Sequence, residues 1–167
     1  FMLNGQLYVK GGGTVLTVSS NCVLFVDDSV VVEQDATVSL SGEISLNGSL
    51  VNQGLFSQQG TIQVSGNFIQ DGELNAIPSS EFQLTGTEQF ISGSNPIELG
   101  RLSCSVDGLK TLTQTVRCQR LEINNSRIFT QNDSLIVLQG LPDAVSRNNG
   151  WVYSSLNGGL LRNLVQV

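Results

Sequence analysis

The chain is 167 residues long, 40% hydrophobic and only 13% charged, with a formal charge of −6 and no histidine. There is enough apolar material for one continuous core, but a charged fraction about half the usual ~25% excludes a surface of salt-bridged helices. The missing histidines argue against zinc sites and His-based triads, the acidic balance argues against nucleic acid, and no apolar run approaches the ~18 residues of a membrane span.

In chain order, Phe1-Met2-Leu3-Asn4-Gly5 reads as strand and turn rather than as a signal peptide, so the chain is expected to be a section of something longer. Val, Ile, Thr, Ser and Gly outnumber strong helix formers, which favours strands. After Gly11-Gly12-Gly13, strand-like runs fall at 14–18, 22–26, 29–32 and 37–40. Asp27-Asp28 is the only adjacent acidic pair; it reads as a turn between Val-rich strands, the alternative being a metal or catalytic site. The calcium-binding G-G-x-G-x-D repeat is absent.

From residue 42 the sequence repeats every six residues. Gly42, Gly48, Gly54, Gly60, Gly66 and Gly72 are each preceded by a polar residue. Each is followed, two positions on, by a large apolar one: Ile44, Leu50, Phe56, Ile62, Phe68 and Leu74. Glycine is expected to take the positive φ of a corner, and a four-residue strand then alternates its faces. The second position points inward, and so does the fourth, where Asn52, Gln58 and Gln70 join Leu46, Val64 and Ala76. Those amides are expected to bond like to like along the stack. An antiparallel meander of such short strands would have almost no core. Coiled into a tube, every strand stacks on its equivalent one turn later. The expectation is an all-β single parallel β-helix (β-solenoid) over 1–167, with 18–22 residues per coil, about eight coils and a right-handed turn.

Further strands are expected at 81–84, 97–102, 116–123 and 134–138, broken at Asp107-Gly108, Asn124-Asn125 and Gln131-Asn132-Asp133. Residues 140–150 read as a loop, a lateral excursion or a short helix. Cys104 and Cys118 lie on neighbouring strands and could form a disulfide, or they and Cys22 could be free thiols packed as small apolar residues. Arg117 and Arg120 flank Cys118 and could lower its pKa, but an inward thiol between exposed bases is the preferred account. Trp151 and Tyr153 are expected to plug or flank the end of the core, with stacking on a sugar as the alternative. Residues 1–100 hold ten acids and one base, whereas residues 101–167 hold four acids and seven bases. That asymmetry could favour head-to-tail association, or could be chance scatter.

With these residues laid out, the chain resembles β-helical regions of large surface proteins of Bacteroidota, exported by the type IX secretion system. The hexads of 42–76 are similar to their G-x-Φ-x-N-x-G sections, and Gln89-Phe90-Ile91-Ser92-Gly93 matches a Q-x-I-x-G motif. Residues 99–106 and 111–138 resemble the following NLT-like and L-x-x-G-x-L strands. Trp151-Val152-Tyr153 with Gly159-Leu160-Leu161-Arg162 is similar to a closing Y-V-x-G-x-L-x-R. Arg101-Leu102-Ser103-Cys104 departs from the usual asparagine-led strand. Asp28-Ser29-Val30 and Asp133-Ser134-Leu135 are similar to the O-glycosylation motif of such proteins, which would place sugars on Ser29 and Ser134. The resemblance implies a non-enzymatic structural or adhesive role outside the cell or at the outer-membrane surface, as a rod or part of a filament. The implied partners are further coils of the same chain, copies of itself or surface glycans, and no cofactor or metal is expected. The alternative is a carbohydrate-binding module or a polysaccharide-active β-helix enzyme, which would need clustered carboxylates on one outer face.

Overall fold

Strands of three or four residues with alternating apolar and polar side chains bury little by pairing with their neighbours in sequence. Here they bury a core by winding. The computed structural model describes residues 1–155 and 157–162, and it is an all-β parallel solenoid of about eight turns. Three faces alternate. The first begins with Met2–Leu3, Val23–Val26, Glu43–Leu46, Thr61–Val64 and Glu81–Leu84. The second begins with Leu7–Val9, Val30–Val32, Leu50–Asn52 and Phe68–Gln70, and the third is Val15–Val18, Thr37–Leu40, Leu55–Gln58 and Glu73–Ala76. Pairing is parallel and in register: Phe25 lies opposite Ser45, Ser45 opposite Gln63, and Gln63 opposite Gln83. Equivalent residues recur after 18 or 20 positions in this column, but coils elsewhere run longer than the expected 18–22, with 23 positions from Met2 to Phe25 and 25 from Ser134 to Gly159.

Later coils keep the winding but lose one corner. Ile97–Cys104 and Val116–Asn124 are continuous strands, yet each serves two faces. Ile97 lies opposite Val116 and Arg101 opposite Arg120, with Gly100 at the bend between the two halves. The second face continues through Glu88–Gly93, Gly108–Leu112, Ser126–Phe129 and Trp151–Tyr153. In the segment expected to be loop or helix, a 3-10 turn at Pro142–Ala144 leads into the strand Val145–Asn148, which pairs with Leu121 to Asn124.

The core follows the sequence rule closely. Ile44, Leu50, Phe56, Ile62 and Phe68 are all buried. Leu74 packs against them but is half-buried, where the third-face sheet ends at Glu73–Ala76. The fourth positions Leu46, Asn52, Gln58, Val64 and Gln70 are buried too. Among these only Asn52 and Gln70 form the expected like-to-like rung, an amide hydrogen bond of 3.0 Å. The Gln58 amide instead donates to the Glu81 carbonyl at 2.8 Å, and the Gln70 amide to the Gly72 carbonyl at 3.0 Å. The register explains this: Gln58 stacks between Leu40 and Ala76, neither of which offers a side-chain partner.

The role expected for the hexad glycines is corrected. None of the six has positive φ; at the non-glycine corners that conformation is taken by Asn21, Asp35, Asn125, Gln131 and Asn149. What the hexad glycines provide is room. A Cβ on Gly66 would sit 2.6 Å from the backbone of Gly48 and from the Ser49 hydroxyl. Gly60 likewise lies directly against the Gly42 carbonyl, and Gly72 against that of Gly54. The glycines therefore form three columns, one per corner, along which consecutive coils approach backbone to backbone.

Candidate functional site

The two buried cysteines do not form the disulfide considered from the sequence. Cys104 stacks between Leu84 and Ile123 on the first face, while Cys118 stacks between Leu99 and Val137 on the third. They occupy different faces of the same coil and remain free thiols, as does exposed Cys22. Burial pushes the pKa of each buried thiol from 9.0 up to about 12; for Cys104 the nearby Lys110 partly opposes this, and for Cys118 the nearby Cys104 adds to it. Of the two readings of Arg117 and Arg120 the preferred one holds, since both arginines are exposed while the Cys118 thiol faces the core.

Two polar residues, Lys110 and Gln89, lie inside the tube although neither was expected to face inward. Lys110 is fully buried and donates its ammonium to the Gly86 carbonyl. Desolvation lowers its pKa, opposed by the charges of Cys104 and Asp107. Lys110 follows a glycine, Gly108, by two positions, so the rule that placed Ile44 inward also places this lysine inward. Beside it in the register stands Gln89, whose amide donates to the carbonyls of Val64 (2.9 Å) and Gly66 and whose oxygen accepts the Gly86 N–H at 2.9 Å. Gln89 ties three backbone groups of two coils together.

On the outside, Asp27 accepts the Asn47 amide at 2.9 Å and Asp28 the Ser29 hydroxyl at 3.0 Å, as parts of a corner. The Ser29 oxygen also accepts the Ser49 N–H, the Ser49 oxygen accepts the Asn67 N–H, and the Asn67 side chain accepts the Phe90 N–H, each at 2.9 Å. One corner is thereby laced by a ladder of side chains reaching the backbone of the next coil. Ser134 lies half-buried at the start of Ser134–Val137, opposite Gly159. Among the described residues no group of three or more Cys, Asp or Glu is placed to hold a metal ion, and no helix is long and apolar enough to cross a membrane.

Trp151 and Tyr153 do not plug the core. In Trp151–Tyr153 it is Val152 that packs against the core, opposite Ile128, while both aromatic rings face outward. Trp151 lies opposite Arg127, and Tyr153 stacks on Phe129 with ring centroids 4.9 Å apart and planes 17° from parallel. Alternation forces this outcome, because the residue two after Gly150 is Val152.

The ends of the stack differ from its middle. Met2–Leu3, Leu7–Val9 and Val15–Val18 each pair on one side only. The inward residues Leu3, Leu7 and Leu16 are half-buried, although one coil later Val30 and Val38 are completely covered. At the other end Val145 and Val152 are half-buried, and Leu160, stacked on fully buried Leu135, is 39% exposed.

These features define a repeat-built parallel β-solenoid whose terminal described coils present open strand edges. No protein-family model matches the chain, and neither does any curated protein or solved structure.

Proposed function

We propose that the chain is a non-enzymatic structural and adhesive module of a secreted or cell-surface protein. It acts as a rigid rod that lengthens by pairing its end coils with further coils of the same chain or with copies of itself. The supporting observation is the parallel, in-register stack itself, in which each inner coil pairs with a neighbour on both sides around one continuous apolar core. Strands that pair along both edges within such a stack favour extension by the same parallel pairing. The ends are chemically different, so copies would associate head to tail, an arrangement that produces open filaments rather than closed dimers. Eight coils at about 4.8 Å each make a rod of roughly 40 Å. The motif order resembling β-helical surface proteins of Bacteroidota supports placement outside the cell and export by type IX secretion.

Light scattering across a concentration series, with electron microscopy of the same samples, tests the assembly reading. Elongated species that grow with concentration are expected. Compact monomers at every concentration, with the amides of residues 7–18 as protected from exchange as those of 43–58, would contradict it.

A further inference from the structure

The last two coils carry a cluster of outward groups that neither the core nor the assembly reading uses. Trp151 is 50% exposed, and its indole N–H has no partner among the described residues. The stacked pair Phe129 and Tyr153 lies beside it on the same face. At the corner next to Trp151, an open cleft of about 440 Å³ is lined by Arg147, Asn148, Asn149, Gly150 and Trp151, with no carboxylate among them.

The arginines here, like Arg117, lack among the described residues the carboxylate partners that Arg101 and Arg120 have. Arg101 is paired with Glu122, and Arg120 lies 3.5 Å from Asp143. Arg127, in register with Trp151, and Arg147, in the cleft, have no ion pair or hydrogen bond among the described residues. The cluster also sits in the part of the chain where seven bases outnumber four acids.

An exposed indole face is electron-rich and takes the weakly positive C–H face of a sugar ring. Two amides beside it supply both donors and acceptors, which suits a ligand rich in hydroxyls. Two unpaired guanidiniums, one on the residue in register with Trp151 and one lining the same cleft, favour a ligand that also carries carboxylates, which they can meet with paired hydrogen bonds. We propose that this corner binds an acidic glycan, a uronate-bearing polysaccharide, with one sugar ring on Trp151 and its carboxylates on Arg127 and Arg147. The inference rests on the reading of the chain as a non-catalytic surface module and names what that surface holds.

The test is calorimetric titration of the full chain with oligogalacturonate and, separately, with neutral cello-oligosaccharide. Oligogalacturonate should bind, more weakly as salt is raised, and the neutral sugar should bind at least about tenfold more weakly. Trp151→Ala should weaken oligogalacturonate binding by about tenfold or more, Trp151→Phe should retain most of it, and the Arg127→Gln/Arg147→Gln double variant should abolish the preference for the acidic sugar. All three positions are exposed, and an unchanged circular dichroism melt confirms that each variant folds. No binding of oligogalacturonate, equal binding of the neutral sugar, or binding unaffected by Trp151→Ala would overturn the proposal. Cleavage of polygalacturonate that disappears in Trp151→Ala would support the site while contradicting the non-enzymatic reading. Failure of binding would leave the assembly reading untouched.

Discussion

Replacing Gly66 by alanine probes why the corners are glycine. The added Cβ would lie 2.6 Å from the Gly48 backbone carbon, and ordinary contact begins at 3.4 Å. Two coils must therefore part by about 0.8 Å at that corner, against hydrogen bonds that already hold them at normal length. The Gly66 N–H donates to the Gly48 carbonyl at 2.8 Å, and the Asn67 N–H to the Ser49 hydroxyl at 2.9 Å. Lengthened by that amount, both pass beyond hydrogen-bonding distance. Two such bonds contribute about 1 kcal/mol each, and leaving their groups half-buried and unmatched raises the cost further, to about 2–4 kcal/mol in all. Urea denaturation of the variant, compared with Gly12→Ala, gives the measurement. Gly12 has an ordinary φ and nothing within 4 Å of an added Cβ, so its substitution should change stability by no more than about 0.5 kcal/mol. A Gly66→Ala protein within about 1 kcal/mol of wild type would refute the argument, since the columns would then not depend on backbone contact.

Other outcomes follow from the interior. Gln89→Met should cost about 2–4 kcal/mol because three backbone groups lose their partner, whereas Gln58→Met should stay within about 1 kcal/mol; the Gln58 side-chain oxygen is buried without a partner, so its removal offsets the lost donation. Chemical denaturation of the two variants side by side checks this difference. Alkylation of the native protein followed by mass measurement should modify Cys22 alone, with Cys104 and Cys118 reacting only after unfolding. Stability should fall as pH rises from about 9 toward about 12: the unfolded thiols ionise first, while folding holds the Cys104 and Cys118 thiols protonated up to about 12. Lys110 works in the opposite sense, adding stability as pH climbs from its lowered pKa to 10.5. A pH series of thermal melts should therefore decline less steeply above pH 9 in the Cys104→Ala/Cys118→Ala protein.

The hexads made the coil legible because each carries both a spacing and a direction: glycine at the corner, an apolar side chain two residues on. That rule also contains information not drawn from it at first. Counted from Gly108 it turns Lys110 inward, and counted from Gly150 it turns Val152 inward and Trp151 outward. Polarity obscured the first case and aromatic bulk the second, since a lysine is expected outside and a tryptophan inside. The merged strands Ile97–Cys104 and Val116–Asn124 were foreseen as long runs, but not as two faces joined at a bend, because no glycine hexad marks a corner within them. The corner glycines were found for the wrong reason. Whether a glycine serves φ or proximity depends on what lies one coil away, and local sequence does not contain that neighbour.

The account depends above all on parallel stacking in register, and spin-label distances along one outer column test it directly. Phe25, Ser45, Gln63, Gln83, Ser103 and Glu122 are successive register partners on the first face. With the native cysteines replaced, labels at Ser45 and Glu122 should lie about 19 Å apart and labels at Phe25 and Glu122 about 24 Å apart, one strand spacing per coil. Distances that fail to grow by one spacing from the first pair to the second, as in an antiparallel sandwich, would contradict the solenoid.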